Sequence, residues 1–412
     1  MHISLKHLWS ILGVVAAALS TLILAAPALS AHRAGPTITI WTDSDRATAV
    51  TSVANDWASK NGATIKVVTK NFGDIRDNLG TVAAADAPDV ITAAHDWTGQ
   101  LAANGLVVPL YPSAAVLKQF PSYTLNAFSY GTAVKKLYGI PAAVENIGLV
   151  VNTKLAKVPK TFKQLESEAL AVKKKTHAAV GIAVQQGSGG DAYHMYPFFS
   201  GIGGYIFGTN KAGNLDPSDI GVASPTLLKN ASLVDKWNRE GLISSKVDGA
   251  IAQNLFLKSQ TAFWITGPWN ADTLKKSGLS FRVIQVPKIA KPAVPFLGVQ
   301  GFMVTKYAND HGVGGAATDL VTNFMATPSA QTLLAAANGR PPANTQAKSN
   351  DPVLQQFSAA SKGGVPMPNI PQMASVWNDL GQAWVKSTKG AGATKAAVAF
   401  KAAARAIADK IG

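Results

Sequence analysis

β-Branched residues alternate with short polar ones along "GPTITIWTD" (35–43), and this period of two predicts a first strand. "RATAVTSVANDWASKNG" (46–62) repeats its apolar residues at helical spacing and closes on Asn61-Gly62, a helix stop. "ATIKVVTKN" (63–71) predicts a second strand, "FGDIRDNLGTVAAADA" (72–87) a helix, and "PDVITAAHD" (88–96) a third, mostly apolar strand. Strand-helix alternation of this kind points to a parallel sheet wrapped by helices. Loops that follow such strands gather at one sheet edge, where open α/β folds bind ligands.

A second α/β region follows. "YGIPAAVENIGLVVNTKL" (138–155) contains an apolar strand, "TFKQLESEALAVKKKT" (161–176) predicts a helix, and "AAVGIAVQQ" (178–186) another strand. "SPTLLKNASLVDKWNREGL" (224–242) has helical spacing, and "QTAFWITGPWN" (260–270) runs from an apolar strand into a Gly-Pro turn. Beyond "FRVIQVPKI" and "PFLGVQGFMVT" the chain turns helical, and its Ala/Lys-rich tail reads as a surface helix. The stretch "VPMPNIPQMASVW" (365–377) is punctuated by Pro366, Pro368 and Pro371. Each ring fixes φ, so the loop is stiff and aims Trp377.

The first 31 residues stand apart. One cation, Lys6, precedes the apolar run "ILGVVAAALSTLILAAPALSA", which ends in small residues as a secretory signal does. About 380 residues then remain, too many for one ordinary core, and two domains are expected. The chain has no cysteine, which removes disulfides, thiolate metal sites and a lipid anchor at the cleavage site. The mature protein is therefore expected to be exported, periplasmic or extracellular, soluble and not a lipoprotein. Net charge is +15, with 38 Lys and Arg against 23 Asp and Glu. Export and the dispersal of the cations argue against nucleic acid. Carboxylates are scarce, so few groups gain protons as pH falls, which limits acid denaturation.

Enzyme signatures are absent: no Walker loop, no HExxH, no GxSxG. "GSGGD" (187–191) and "GVGG" (312–315) lack phosphate-binding spacing, and the seven His are scattered without metal-ligand spacing. Carboxylates stand instead at strand ends. Asp43, Asp45 and Arg46 follow the first strand, Asp96 and Trp97 the third, and Glu145 lies in "AAVENIG". Asp45 could equally cap the helix behind it, and Asp96 the turn that follows it. Trp269 and Trp377 sit beside proline turns, and Tyr193 lies near Pro197. Trp57, Trp237 and Trp264 have the setting of core residues. Carboxylates with aromatic platforms suit a sugar, whose hydroxyls donate to carboxylates while its C–H faces lie on rings. A polyamine would use the same two elements through cation–π contacts. Two of the carboxylates could also form a glycosidase pair.

The segments "ITIWTDSDR", "APDVITAAHDWTGQLAANGLVVPL", "YGIPAAVENIGLVVNTKL", "FWITGPWN", "PFLGVQGF" and "MPNIPQMASVW" resemble, in order, the maltose/maltodextrin-binding proteins of ABC transporters, in the extracellular solute-binding family 1. The resemblance implies an α/β, two-lobed periplasmic-binding-protein-like fold of type II that closes on a sugar between its lobes. It implies residues 32–143 and 302–345 for lobe 1 and 146–297 and 352–412 for lobe 2, with hinges near 143–146, 298–301 and 346–351. By the same resemblance Asp43, Asp45, Arg46, Asp96 and Glu145 bond sugar hydroxyls, Tyr193, Trp269 and Trp377 stack on sugar rings, and Asp191 lies near an acidic ligand position. Ala93 stands where a Trp platform is common and Trp97 where an Arg is common, as if one platform had moved, and Asn378 replaces an aromatic neighbour of Trp377. Maltose, a maltodextrin, trehalose or another glucoside is then the expected ligand. A membrane permease is the expected partner, and the protein is expected to be a monomer without enzymatic activity, metal or cofactor.

Overall fold

Thr37–Thr42 (β1) and Thr64–Thr69 (β2) pair in parallel over their full length, and β1 pairs in parallel with Val90–Ala94 (β3). The computed structural model describes residues 35–131, 134–211 and 213–412, so the expected signal segment lies outside the described residues. Ile140–Glu145 (β4) and Gly148–Asn152 (β5) follow, then Ile182–Val184 (β6), Phe263–Thr266 (β7), Phe281–Ile284 (β8), Phe296–Val304 (β9) and Val365–Pro366 (β10). One sheet runs β10-β9-β3-β1-β2, with β4 also paired to β9. The other runs β8-β5-β7-β6.

Each sheet is covered on both faces, and the period of two shows which residues cover what. Ile38 and Ile40 of β1 and Phe302 and Val304 of β9 pack with Val50, Val53 and Trp57 of the helix Ser44–Asn61. Their neighbours Trp41, Val299 and Met303 enter a separate cluster on the opposite face with Ile75 and Leu79. In the second sheet Leu149, Val151, Phe263 and Ile265 face Trp237, Phe198 and Trp384, whereas Val150 and Trp264 face Phe256 and Phe357. Trp57, Trp237 and Trp264 are buried, as their sequence setting implies.

The run 138–155 reads as one apolar strand but divides into two strands of different sheets. The chain leaves β4 at Glu145 and enters β5 at Gly148. Asn146, buried between them, donates from Nδ2 to the carbonyl of Phe357 at 2.9 Å, which holds the crossing in place. The helix expected over 72–87 stops at Leu79, and the one over 224–242 breaks between Asn230 and Ser232. The tail helix Ala396–Ile411 lies at the surface, with Val398, Lys401, Ala402 and Arg405 exposed, but its other face enters the core. It buries Ala396, Ala399, Phe400, Ala403 and Ile407, with Phe400 edge-on to Trp384 at 5.2 Å. Alanine carries little apolar signal yet packs closely, so its buried face is muted in the sequence.

The proline loop is stiff for a further reason. Asn369 Nδ2 lies 2.9–3.1 Å from the carbonyls of Asn126, Ala127 and Ser129, and His95 Nε2 lies 3.0 Å from the Met367 carbonyl. Gly99 permits this docking, because a Cβ there would collide with the backbone of Asn369 and Ile370. The loop is thus pinned to the first sheet before it enters the helix Trp377–Thr388, which packs on the second.

Candidate functional site

A cavity of about 540 Å³ opens where the loops after β1, β2 and β3 face the second sheet. That is the size of a small-molecule site. Nine of the ten residues singled out in the sequence line it: Asp43, Asp45, Arg46, Asp96, Trp97, Glu145, Tyr193, Trp269 and Trp377. Asp191 does not. Its carboxylate accepts from His194 N, His194 Nδ1 and Gln185 Nε2, so it stands one layer behind the wall.

The polar wall is built from arginine–carboxylate pairs. Asp43, not Asp45, caps the helix Ser44–Asn61, accepting from Asp45 N at 3.1 Å, and its other oxygen pairs with Arg46 Nη1. Glu145, at the end of β4, accepts from Gln300 Nε2 at 2.8 Å and from Arg340 Nε at 2.6 Å. Burial pushes the Glu145 carboxyl up, but Arg340 and Arg46 outweigh it and hold the group below its usual pKa. Asp96 behaves oppositely. Burial raises it to about 6, only partly opposed by Arg76 and by the bond it accepts from Trp377 Nε1 at 3.1 Å. That last bond joins the two halves across the cavity.

The aromatic wall comes from the second half. Tyr193 lies over Phe296 at 6.2 Å and 19° and tilts toward Trp269 at 6.4 Å. Trp377 meets Phe296 edge-on at 5.8 Å. Arg340 Cζ stands 5.5 Å from the Trp269 ring centre. Trp97 is 4 % exposed and packs against Phe72 at 4.5 Å, so Phe72, half-buried, presents the more open ring of the pair. Three buried polar atoms of the lining have no partner among the described residues: Tyr193 Oη, His194 Nε2 and Gln300 Oε1. Burial raises the Tyr193 phenol well above its usual pKa, so it stays protonated and can donate.

Phe72, Arg76, Gln185, His194, Gln300, Arg340 and Met367 line the cavity without having been singled out in the sequence. Phe72 was findable, since it follows β2 as Asp43 follows β1. Arg340 follows Gly339, whose φ of +59° ends the helix Pro328–Asn338 and turns the chain inward, a relation no local pattern reports. Among the described residues no three His, Asp or Glu side chains converge as a metal ion would need, and no helix is long and apolar enough to cross a membrane.

The model of the bacterial extracellular solute-binding protein family matches residues 52–361. A galactooligosaccharide-binding protein of Bacillus subtilis (strain 168) is 27% identical over 360 residues, covering 83% of this chain and 82% of that protein. The maltodextrin-binding protein MdxE of the same organism is 28% identical over 349 residues, covering 80% and 79%. The Thermus thermophilus maltotriose binding protein bound with maltotriose superposes with a TM-score of 0.79 at 26% identity, covering 91% of this chain and 100% of that one. The fold is the two-lobed, type II arrangement of periplasmic binding proteins. With the family model spanning most of the chain, the protein belongs to the bacterial extracellular solute-binding proteins.

Proposed function

We propose that this protein is the solute-binding component of a carbohydrate ABC importer, taking maltose, a maltodextrin or a related glucoside between its lobes for delivery to a membrane permease. The observation that carries the reading is the pairing of ring faces at Tyr193, Trp269 and Trp377 with buried polar atoms that lack a partner among the described residues. A buried polar atom is costly unless bonded, and a sugar supplies hydroxyls at the edges of its apolar faces. The relatives, a galactooligosaccharide-binding, a maltodextrin-binding and a maltotriose-binding protein, support the same class of ligand.

The lobes are taken as 32–143 with 302–345, and 146–297 with 352–412, turning about segments near 143–146, 298–301 and 346–351. Closure follows because the ligand meets both walls only in the closed form, which shifts the population toward it. The N-terminal 31 residues serve as a cleaved export signal, and the mature protein works as a monomer outside the cytoplasmic membrane.

Two other readings fit less well. A polyamine needs net negative charge, but Asp43 and Glu145 are paired with Arg46 and Arg340, and Arg340 lies against Trp269. A glycosidase needs two working carboxyls. Asp96 has the raised pKa of a general acid, but Glu145 is held low with both oxygens engaged and Asp43 is paired with Arg46.

Titration calorimetry against maltose, maltotriose, trehalose and a galactooligosaccharide tests the proposal. Trp377→Ala is expected to weaken binding by about 2 kcal/mol, as for a central aromatic anchor. Unchanged affinity would remove Trp377 from the site. Incubation with maltotriose should release no glucose; release would favour the hydrolase.

A further inference from the structure

We propose that His194 is a hydroxyl acceptor that selects among sugars, and that Asp191 is the positioning residue that fixes it in that role. The inference rests on the carbohydrate reading above and adds to it the direction of one hydrogen bond. His194 is 6 % exposed, and its Nδ1 lies 2.9 Å from Asp191 Oδ2. An ionised carboxylate only accepts, so Nδ1 carries the proton. In a neutral imidazole the other nitrogen is then an acceptor. Here that nitrogen is Nε2, buried in the lining with no partner among the described residues.

Neither member of the pair is free to turn. The imidazole stands edge-on to Tyr193 at 5.6 Å and 76°, and to Trp269 at 5.7 Å and 78°, wedged into the aromatic wall. Asp191 also accepts from His194 N at 2.9 Å and from Gln185 Nε2 at 2.6 Å. Gly190 brings the segment into place, with a φ of +76° and a backbone so close to Gly381 that a Cβ would collide with it. The acceptor is therefore built before the ligand arrives. Gln300 follows the same logic from the other side, since its Nε2 donates to Glu145 and leaves Oε1 to accept.

A fixed acceptor discriminates sharply. A sugar whose hydroxyl donates to Nε2 satisfies it, whereas a deoxy or O-methyl sugar at that position leaves it buried and unpaired. Loss of such a bond weakens binding by about tenfold to a hundredfold.

The test uses the full mature chain labelled with ¹⁵N-histidine, and as ligand the tightest binder among maltose, maltotriose, trehalose and a galactooligosaccharide. In the ligand-free protein the His194 Nδ1 should resonate as protonated and Nε2 as unprotonated. Sugar should move the Nε2 signal and leave Nδ1 nearly still. H194F should weaken binding about tenfold to a hundredfold, H194Q should recover part of that loss through its amide oxygen, and D191N should disturb the tautomer signature. A protonated Nε2 or an unprotonated Nδ1 in the free protein, a stationary Nε2 signal, or wild-type affinity in H194F would each overturn the inference while leaving a sugar-binding protein. Failure of the wild-type chain to bind any of the four sugars would instead overturn the carbohydrate reading, and the acceptor role with it.

Discussion

Asp96→Asn is the most informative single change, because it separates the stability of the fold from the design of its cavity. Burial lifts the Asp96 carboxyl from 3.8 to about 6. The folded state thus binds this proton more tightly than the unfolded chain, and stability falls as pH rises between those values. Roughly two units amount to about 3 kcal/mol lost by neutral pH. The adjacent His95 works in the opposite sense. It is fully buried, with Nδ1 accepting from Val299 N at 3.1 Å and Nε2 donating to Met367, and burial lowers it from 6.5 to about 4. The unfolded chain now holds the extra proton, so stability rises with pH over the same window, again by about 3 kcal/mol. Glu145, Asp191 and Asp351 are held low and act at more acid pH, and His311 is held high and acts above 6.5. From about pH 4.5 to 6 the two neighbours therefore nearly cancel, and wild-type stability should be almost flat. Asp96→Asn keeps the shape and an oxygen for the Trp377 N–H but removes one side of the balance. Its stability should rise by about 2 kcal/mol across that window and exceed wild type by up to about 3 kcal/mol at pH 7. The assay is urea unfolding of ligand-free protein at half-unit steps, compared as differences between variant and wild type. Parallel pH profiles would refute the reasoning. The same variant should bind sugar more weakly, since an amide oxygen replaces an ionised acceptor, and this loss would explain why a costly carboxylate is kept.

Arg340→Leu leaves Glu145 buried without its main partner and should cost about 3–5 kcal/mol in unfolding at neutral pH. Because Glu145 is held below its usual pKa, the deficit should shrink as pH falls and the carboxyl protonates in both states. His311 has Asp89 Oδ1 and the Ala84 carbonyl each 2.7 Å from its ring nitrogens, and these acceptors raise its pKa by favouring the charged ring. Its contribution is complete below pH 6.5 and disappears as pH rises through the raised value, so His311→Leu should cost about 1–3 kcal/mol in acid and lose the alkaline decline. Gly190→Ala forces a side chain to a φ of +76° against Gly381 and should destabilise by about 1–3 kcal/mol, read by thermal unfolding.

What the chain settles locally is legible from its order alone. One alternating run and several apolar runs mark strands of both sheets, Asn61-Gly62 ends the first helix, and acidic residues after strand ends already mark the edge where a cavity forms, whereas the choice of Asp43 over Asp45 as that helix's cap comes only with the fold. Aromatics beside proline turns likewise point to Trp269 and Trp377, because a stiff loop holds a ring where packing does not require one. Tertiary structure alone decides how these parts meet. It divides the run 138–155 between two sheets, since an apolar stretch carries no mark of which partner strand it will find. It brings Arg340 to Glu145 across 195 residues and Trp377 to Asp96 across 281, so which carboxylates stay available for ligand depends on contacts that no local period encodes. Asp191 shows the difference most plainly: the family resemblance puts it near an acidic ligand position, yet the fold sets it behind His194, with its Oδ2 2.9 Å from His194 Nδ1.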